Sequence, residues 1–222
     1  MEQSLKIYIA CTSALKNDDV FEEKLKLVQK QRRAKVLRCK QKQDKERALG
    51  AGLLLRYALM QQGVSYETAV FETDECGKLY LASQPDLHFN ISHSGEYAVC
   101  AISPYEVGVD IECFVNRFAE GDGRKRMSSI AKKCFTEKER EWFLALQEEQ
   151  QAEAFALIWT RKEAYAKACG EGIRMDFSGI DTLHDELFFG KRMGQYQISA
   201  FISAEEPVKP DVSSVLIEEV TF

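Results

Sequence analysis

Two similar β-type segments lie in opposite halves of this 222-residue sequence, and they constrain the fold more than any other feature. The segment "YAVCAIS" begins at Tyr97 and "YQISAFIS" begins at Tyr196, and each follows a long helical stretch that ends in a glycine-containing turn. If the likeness is a true repeat, the chain forms two α+β halves, 1–104 and 105–222, that meet face to face. Ligand sites are common in clefts of that kind. Chance similarity between two β-hairpins is the alternative, and it stays open at this point.

Hydrophobic periodicity and turn residues predict the elements of each half. In the first half we predict a basic helical segment and further elements as follows: a strand at Lys6–Cys11, a helix from Asp44 to about Gln62, and strands near Val70, at Leu79–Leu81 and at His88–Ile91. The segments Glu96–Ser103 and Glu106–Glu112 predict a hairpin that turns at Pro104. In the second half we predict two helices and three strands: Glu137–Gln151, Glu153–Cys169, Leu187–Phe189, Tyr196–Ile202 and Val215–Val220.

Composition indicates a soluble protein, with 45% hydrophobic and 29% charged residues. The net charge of −5 argues against a general nucleic-acid binder, although the segment from Lys24 to Lys45 is strongly basic and opposed only by Asp44. Seven cysteines without a C-x-x-C pair favour a reducing cytoplasm over a disulfide framework. No stretch approaches the ~20 apolar residues needed to cross a bilayer. We therefore expect a cytoplasmic protein without nucleic-acid or membrane partners.

The stretch "GVDIE" (Gly108–Glu112) places two carboxylates on one side of a predicted strand. Because alternate strand residues share a face, Asp110 and Glu112 point the same way, roughly 6.5 Å apart along the chain. Paired carboxylates suit Mg²⁺, which takes oxygen ligands and keeps several waters. The alternative is the solvated face of an amphipathic strand.

The stretch "WTRKEAYAK" (Trp159–Lys167) belongs to a predicted helix with one apolar stripe. The stripe consists of Phe155, Ile158, Trp159, Tyr165, Ala166 and Cys169. Glu163 and Lys167 lie along its edge, and as a surface pair they would contribute about 0.3–0.5 kcal/mol. Lys162 falls inside the stripe, where we expect its aliphatic stem to be covered and its charge to reach water.

The stretch "FNISHSG" places His93 between Ser92 and Ser94 in a turn after a short strand. A histidine there can donate a hydrogen bond to a phosphate group. The stretch lacks the G-x-S-x-G pattern of a hydrolase elbow, so the serines are better phosphate or turn ligands than nucleophiles.

In "FTEKE", Thr136 and Glu139 predict a capping box at a helix start, with a metal-ligand role for Glu139 as the second possibility. Lys78 follows a glycine in a predicted tight turn. Carboxylates, a histidine and several bases together suit magnesium-assisted phosphoryl transfer.

With these motifs in this order, the chain resembles the 4′-phosphopantetheinyl transferases of the larger, Sfp-like class. The resemblance rests on "FNISHSG", "GVDIE" and "WTRKEAYAKACGEGI". It implies an α+β fold of two pseudo-twofold-related α/β halves with the active site in the cleft between them. It also implies transfer of the phosphopantetheine arm of coenzyme A to a serine of an apo acyl or peptidyl carrier protein, with release of adenosine 3′,5′-bisphosphate. A monomer is expected, since the smaller, trimeric class is about half as long.

The resemblance also implies site residues. Asp110, Glu112 and Glu163 would hold Mg²⁺, for which Mn²⁺ could substitute. Glu163 or a metal-bound water would take the proton of the carrier serine, and Lys167 would stabilise the diphosphate charge. Contacts to coenzyme A are implied for a basic and polar set: Arg32, Lys35, Arg47, Lys78, Ser92, His93 and Lys167. A non-catalytic coenzyme A or carrier-binding relative and a magnesium-dependent phosphohydrolase are the alternatives.

The segment 114–127 directly follows the carboxylate strand and combines apolar with basic residues. These are Phe114, Val115, Phe118, Arg124, Lys125 and Arg126. Carrier proteins are generally acidic around the modified serine, so the segment could dock one. The alternative is a loop whose phenylalanines pack in the core.

Overall fold

The computed structural model describes residues 5–114, 122–170, 175–183, 188–203 and 216–222. The first half contains five strands and three helices: β1 (Lys6–Cys11), α1 (Asp18–Leu25), α2 (Lys30–Arg38), α3 (Lys42–Gln61), β2 (Phe71–Thr73), β3 (Leu79–Leu81), β4 (His88–Ser94) and β5 (Tyr97–Ser103). The second half contains the rest: β6 (Glu106–Cys113), α4 (Asp122–Cys134), α5 (Glu137–Ala145), α6 (Glu148–Cys169), β7 (Phe188–Met193), β8 (Tyr196–Ser203) and β9 (Leu216–Val220). Short 3₁₀ helices lie at Ser13–Lys16 and Phe177–Gly179.

Each half has its own antiparallel core of three strands in the same order. The first sheet has the order β4-β5-β1-β9 and the second has the order β6-β8-β7, while β2 and β3 form a separate hairpin. In both sheets the middle strand of the three pairs with the first strand of its half and with its hairpin partner. The two-half α+β architecture predicted from the sequence is confirmed.

The two similar segments occupy equivalent places, so their likeness is a structural repeat. Tyr97 begins β5 opposite Cys11, and Tyr196 begins β8 opposite Cys113. Each tyrosine follows a two-residue turn that opens with a glycine at φ +56°, Gly95 or Gly194, a conformation that suits glycine.

The residues after β1 and β6 repeat as well. The Thr12 N–H donates to the Glu96 carbonyl at 2.7 Å, and the Phe114 N–H donates to the Gln195 carbonyl at 3.0 Å. The rings of Tyr97 and Tyr196 meet edge to face with centroids 4.9 Å apart. Contact between equivalent residues is what a twofold relation between two halves produces.

The sheets pack face to face, and each carries one long helix on its outer side. Apolar residues of β1 and β5 pack against Val107, Val109 and Ile111 of β6 and against β8. Helix α3 covers the outer face of the first sheet, and α6 covers that of the second. Because strand residues alternate, the other face of β6 is turned towards α6.

Two predictions about elements were wrong. The strands β5 and β6 do not form a hairpin at Pro104, because both edges of β5 are taken by β1 and β4, and β6 instead pairs with β8. The break between the last two helices lies earlier than predicted, between Ala145 and Glu148. A capping box explains its position: the Gln147 N–H donates to the side chain of Gln150 at 3.2 Å, which starts α6.

The last strand returns to the first sheet. Strand β9 pairs in parallel with β1, and Lys6 lies opposite Leu216. The boundary between 1–104 and 105–222 remains a prediction, and β9 belongs to the second range by sequence but to the first sheet by pairing. No helix within the described ranges combines the length and the apolar character required to cross a membrane.

Candidate functional site

The outer face of β6 carries the two predicted carboxylates, and it is buried. Asp110 and Glu112 are only 7% and 6% exposed, so the alternative of a solvated strand face is wrong. Gly108 precedes them on the same face and allows α6 to come close. A Cβ atom at Gly108 would lie 1.9 Å from the Ala164 carbonyl oxygen and 2.5 Å from the Ala168 nitrogen. Only glycine permits this approach, which brings the helix of "WTRKEAYAK" onto the carboxylate strand.

Lys167 extends from α6 to the first carboxylate. Its Nζ donates to Asp110 Oδ1 at 2.6 Å, to Ser92 Oγ at 3.0 Å and to the Val109 carbonyl at 3.2 Å. Lys167 is thus part of an interior cluster and not merely half of a surface pair. Glu163 lies one helical turn earlier and is half-buried, so it lies on the same side of the helix as Lys167.

Alternate side chains of β4 bridge to β6 across the boundary between the two sheets. The Val109 N–H donates to Asn90 Oδ1 at 3.0 Å, and Ser92 Oγ donates to Asp110 Oδ1 at 2.7 Å. Ser94 Oγ donates to Glu112 Oε1 at 3.2 Å. The serines of "FNISHSG" therefore orient the carboxylates. Asn90 was not predicted, because an asparagine beside a strand start carries no distinctive sequence signal.

A cavity of about 460 Å³ opens beside this cluster. Four cationic side chains line it: Arg32, Lys35, Lys78 and Lys167. Aromatic and apolar side chains complete much of the wall: Leu55, Tyr66, Phe71, Leu79, Phe89 and Ile91. No acidic side chain lines it within the described part of the chain. A cavity with these walls suits a polyanion that also has an apolar or aromatic part.

Arg32 and Lys35 of α2 are the two cations that are free to take an anion. Neither side chain has a hydrogen bond or an ion pair to the described residues. Burial lowers the pKa of Arg32, and burial together with the charge of Arg32 lowers the pKa of Lys35. The stem of Arg32 is held against Gly52, where a Cβ would lie 2.9 Å from Arg32 Cγ. A bound anion would compensate this charge.

Lys78 also lines the cavity, but its charge already has partners. Its ammonium group pairs with Glu106 and donates to the Ala168 carbonyl at 2.7 Å. A cation at the last carbonyls of α6 favourably opposes the negative end of the helix dipole. Lys78 therefore ties the turn before β3 to the end of α6, and its contact with coenzyme A remains a prediction.

His93 was predicted to lie in a turn after a short strand, and this was wrong: β4 continues to Ser94, so His93 is the last but one residue of the strand and lies among cations. The pKa of His93 is lowered from its ordinary value, first because nearby protein atoms reduce the hydration of the imidazolium and second because Arg47 is positive. Lys167 and Lys35 act in the same direction. A neutral imidazole near pH 7 can still donate one hydrogen bond to a phosphate. Arg47 itself pairs with Asp44.

Glu139 combines the predicted helix cap with a buried ion pair. The Thr136 N–H donates to Glu139 Oε2 at 2.8 Å, and the Glu139 N–H donates to Thr136 Oγ1 at 3.2 Å, which completes the capping box. Glu139 Oε1 accepts bonds from Thr182 N–H at 2.9 Å and from its hydroxyl at 2.7 Å. With Lys162 Nζ also 2.8 Å from Oε2, both carboxylate oxygens are occupied. The structure thus gives Glu139 a structural role.

The expectation that the charge of Lys162 reaches water was wrong. Both Lys162 and Glu139 are 0% exposed. Lys162 Nζ donates to the carbonyls of Phe177 and Ile180 at 2.8 and 2.6 Å, and it lies 6.0 Å from the Phe135 ring centre. A lysine inside an apolar stripe is therefore stable because a carboxylate and two carbonyls replace its water. At the end of the predicted stripe, Cys169 is exposed.

The donor set of the site fits Mg²⁺ with part of the coordination left to substrate. No group of three His, Cys, Asp or Glu side chains in the described ranges is arranged to hold a metal ion. Mg²⁺ usually needs only one or two protein carboxylates, because waters and substrate phosphates supply the rest. Asp110 and Glu112, buried on one strand face, satisfy that requirement. The role of Glu163 as a further ligand remains a prediction.

The segment after β6 is described only in part. Phe114 is buried and packs with Met127 and Phe135, so the core interpretation holds for this phenylalanine. Arg124 pairs with Glu148. Val115 and Phe118 lie outside the described residues, and the docking role of 114–127 remains a prediction.

Comparison with known proteins assigns both halves to the same kind of protein. Residues 16–105 match the family described as "4'-phosphopantetheinyl transferase, N-terminal". Residues 106–204 match the family described as "4'-phosphopantetheinyl transferase superfamily". The two matches adjoin at the passage from β5 to β6.

Several similar proteins are bacterial. The 4′-phosphopantetheinyl transferase gsp of Aneurinibacillus migulanus is 38% identical over 56% of this chain and 48% of its own length. A 4′-phosphopantetheinyl transferase of Bacillus subtilis is 32% identical over 70% of this chain and 66% of its own length. The matched part spans less than two thirds of either relative. The 4′-phosphopantetheinyl transferase Sfp of Bacillus subtilis strain 168 is 29% identical over 82% of this chain and 78% of its own length. Both halves of the chain match the same family, and the carboxylates of β6, Lys167 of α6 and the cationic cavity lie next to one another. The chain therefore belongs to the 4′-phosphopantetheinyl transferase family, in its Sfp-like class.

Proposed function

We propose that this protein transfers the 4′-phosphopantetheine arm of coenzyme A to a serine of an apo acyl or peptidyl carrier protein, in a Mg²⁺-dependent reaction that releases adenosine 3′,5′-bisphosphate. The observation that carries the proposal is a cavity next to the buried pair Asp110 and Glu112. Four cationic side chains line this cavity, and no carboxylate of the described residues does. Coenzyme A is a polyanion with an aromatic base, so it matches both the charge and the apolar wall of this cavity. The names of the relatives point to the same reaction.

The cations of α2 are assigned to the phosphate of the coenzyme A ribose. Arg32 and Lys35 lie next to each other without acidic partners and can form charge-assisted hydrogen bonds to a phosphate. His93 can add a neutral N–H bond from the end of β4. Arg47, Lys78 and Ser92 complete the proposed coenzyme A contacts. The diphosphate then extends towards Lys167 and the carboxylates.

Asp110 and Glu112, joined by Glu163, are the proposed ligands of Mg²⁺. When bound there, the ion would reduce the negative charge that builds up on the diphosphate during transfer. Asp110 is held for this role by Ser92, and Glu112 by Ser94. Lys167 now neutralises Asp110, and its ammonium is within reach of a diphosphate placed beside that carboxylate.

The chemical step is an in-line displacement at phosphorus. The carrier serine oxygen forms a bond to the phosphorus that bears the pantetheine arm, and the bond from that phosphorus to the bridging oxygen breaks. Glu163 accepts the serine proton, and the bridging oxygen leaves as part of adenosine 3′,5′-bisphosphate. Lys167 stabilises the negative charge on the departing phosphate. The active site lies in the cleft between the halves, and we propose that the protein works as a cytoplasmic monomer.

Incubation with coenzyme A, Mg²⁺ and apo carrier proteins from several pathways tests the reaction. We expect a carrier mass gain equal to one phosphopantetheine, in step with bisphosphate release, and the same product when Mn²⁺ replaces Mg²⁺. Binding of coenzyme A without a mass gain on any carrier would indicate a non-catalytic relative. Bisphosphate release without a carrier would indicate a phosphohydrolase.

Dephospho-coenzyme A tests the assignment of Arg32 and Lys35. The wild type should bind it more weakly than coenzyme A, whereas the double variant Arg32→Ala/Lys35→Ala should hardly distinguish the two ligands. The matched control is Lys30→Ala/Arg38→Ala, which removes two exposed cations of the same helix that do not line the cavity. An unchanged preference in the first double variant would place the ribose phosphate elsewhere.

A further inference from the structure

Two exposed cysteines lie at the rim of the cationic cavity. The structure describes all seven cysteines of the chain, and five of them are buried or half-buried, whereas Cys76 and Cys169 are exposed. Cys76 lies in the turn between β2 and β3 and lines the cavity. Cys169 is the last residue of α6, directly before Gly170, which lines the same cavity. Because oxidants reach exposed thiols first, these two are the cysteines on which redox chemistry can act.

The carboxylate of Asp74 lies between the two backbone segments that carry these cysteines. On one side, its Oδ1 accepts hydrogen bonds from the N–H groups of Cys76 at 2.9 Å and of Lys78 at 2.8 Å. On the other side, a Cβ atom at Gly170 would lie 3.1 Å from its Oδ2. The turn and the end of α6 are therefore separated, at this point, by the width of one carboxylate group.

Lys78 ties the same two segments together from its own position. Its Nζ donates to the Ala168 carbonyl at 2.7 Å, so the residues on both sides of Cys169 contact the turn. The turn belongs to the first half of the chain and α6 to the second, so the junction joins the two halves. A disulfide needs Cα atoms about 4.4–6.8 Å apart. Residues 74–77 of the turn are exposed, so no packed neighbour prevents them from adjusting to that separation.

We infer that Cys76 and Cys169 form a reversible disulfide when the protein meets a peroxide, and that this bond weakens the binding of coenzyme A. The second part names a regulation of the proposed active site, so it rests on the proposed function. The peroxide oxidises one thiol to a sulfenic acid and leaves as water. The other thiol then attacks the sulfenic sulfur, the S–S bond forms, and a second water is released. Disulfides in cytoplasmic proteins are mostly of this transient, redox-sensing kind.

The bond would act on coenzyme A through the walls of the cavity. Cys76, Gly77 and Lys78 line one side, and Lys167 and Gly170 of the other half line the opposite side. Bringing the sulfur atoms to a bonding distance of about 2.05 Å draws the turn towards α6 and narrows the space between these walls. It also holds the ammonium group of Lys78 at the end of α6, where it cannot follow a phosphate. Both changes disfavour a nucleotide in the cavity.

Peptide mapping under non-reducing conditions tests the bond itself. After brief treatment of the wild type with hydrogen peroxide, protease digestion and mass spectrometry should find one peptide that contains Cys76 linked to one that contains Cys169. Dithiothreitol should separate the two peptides. Cys76→Ser and Cys169→Ser should each abolish the linked pair, and the matched control Cys39→Ser, at a half-buried cysteine directly after α2, should retain it. Links only between other cysteines, or only between two molecules, would overturn the inference.

Calorimetric titration with coenzyme A tests the consequence of the bond. The oxidised wild type should bind coenzyme A about tenfold more weakly than the reduced wild type, and dithiothreitol should restore the affinity. Cys169 does not line the cavity, so Cys169→Ser should bind equally well before and after peroxide treatment. Equal affinities of the oxidised and reduced wild type, or the same loss of affinity in Cys169→Ser, would overturn the regulation.

Failure of the proposed function gives a different result. Neither peptide mapping nor the titration needs a carrier protein. A reduced wild type that binds coenzyme A but transfers nothing to any carrier would contradict the proposed transfer, while a disulfide that weakens binding would still support the regulation. A reduced wild type that binds no coenzyme A would overturn both.

Discussion

The first strands of the two halves have the same register but opposite chemistry. Cys11 and Cys113 both lie opposite the tyrosine that opens a repeated hairpin, which makes Tyr8 equivalent to Asp110 and Ala10 equivalent to Glu112. Tyr8 and Ala10 are buried in the apolar core beneath α3. The carboxylates at the same places face α6.

The long helices differ in the same way. Both end at a left-handed glycine, Gly63 with φ +74° and Gly170 with φ +77°. Eight positions before that glycine, α3 has Leu55 and α6 has Lys162, both buried. Three positions before it, α3 has the exposed Met60 and α6 has Lys167, which donates to Asp110. One backbone frame thus serves as an ordinary core in the first half and as an ionic site in the second, so function arises from side chains and not from the frame.

The largest effects are expected from substitutions at two equivalent strand positions, Asp110 in β6 and Tyr8 in β1. Asp110→Asn keeps the shape but removes a proposed metal ligand, and turnover should fall by about 10²-fold or more while the fold remains. Tyr8→Ala should lower the free energy of unfolding by about 3–5 kcal/mol, because it leaves a large cavity. Carrier modification and chemical denaturation of both variants measure the two effects. If Asp110→Asn keeps full turnover, the carboxylate face is not the metal site.

The glycine of β6 offers a sharper structural contrast. Gly108→Ala would force a Cβ into the backbone of α6 and should destabilise the protein by more than about 4 kcal/mol. The equivalent residue in β1 is Lys6, whose Nζ donates a hydrogen bond to Gln62 Oε1 at 3.1 Å. Lys6→Ala should lower the free energy of unfolding by less than about 1 kcal/mol. Thermal unfolding of both variants is the measurement. Similar melting temperatures would mean that α6 can move away from β6.

The buried lysine should behave differently from the leucine at the matching position. Lys162→Met leaves Glu139 charged and buried, so we expect a loss of about 3–5 kcal/mol. Adding Glu139→Gln should restore part of that loss, because the unpaired charge disappears. Leu55→Ala should cost about 2–5 kcal/mol through its cavity, and Glu139→Gln should not restore any of it. Denaturation of the single and double variants measures this coupling, and strict additivity for Lys162 and Glu139 would contradict it.

The smallest expected effect concerns pH. Because the folded state holds the pKa of His93 below its ordinary value, the unfolded chain binds more protons between the two values. Stability should therefore fall as pH drops below ~6.5, towards the folded pKa. His93→Gln should reduce this dependence of the free energy of unfolding on pH, that is, flatten the slope. Arg192 is the counterpart in the other hairpin and pairs with Glu153 at 2.7 Å, so Arg192→Gln should leave the slope unchanged. A slope that is equal in all three proteins would remove His93 as its source.

The sequence predicted features that depend on local periodicity. Alternation in "GVDIE" placed Asp110 and Glu112 on one face, and the spacing of Thr136 and Glu139 predicted the cap. Features that depend on contacts between residues far apart in the sequence could not be predicted in this way. The burial of Lys162 depends on Glu139 and on carbonyls near Phe177, none of which is near it in the sequence.

Pairing partners were the other limit. A turn at Pro104 is compatible with a hairpin or with a passage from one sheet to the other, and only competition for the edges of β5 decides between them. The ion pair of Lys78 with Glu106 likewise depends on how two turns meet. A glycine within a strand often marks a close approach of another backbone, so Gly108 in "GVDIE" is a sequence signal for the contact between β6 and α6.

The parallel pairing of β9 with β1 has a consequence for biosynthesis. A ribosome releases β1 first, and β5 can cover one edge of it early, but the other edge has no partner until residues 216–220 have emerged. Until then an unpaired strand edge is exposed, which is a template for association between nascent chains. Pairing of β9 with β1 also has to close the long loop between Lys6 and Leu216, a contact that forms late because of its entropy. The first half, in which β1 and α3 form an ordinary apolar core, is thus the half whose sheet is completed last.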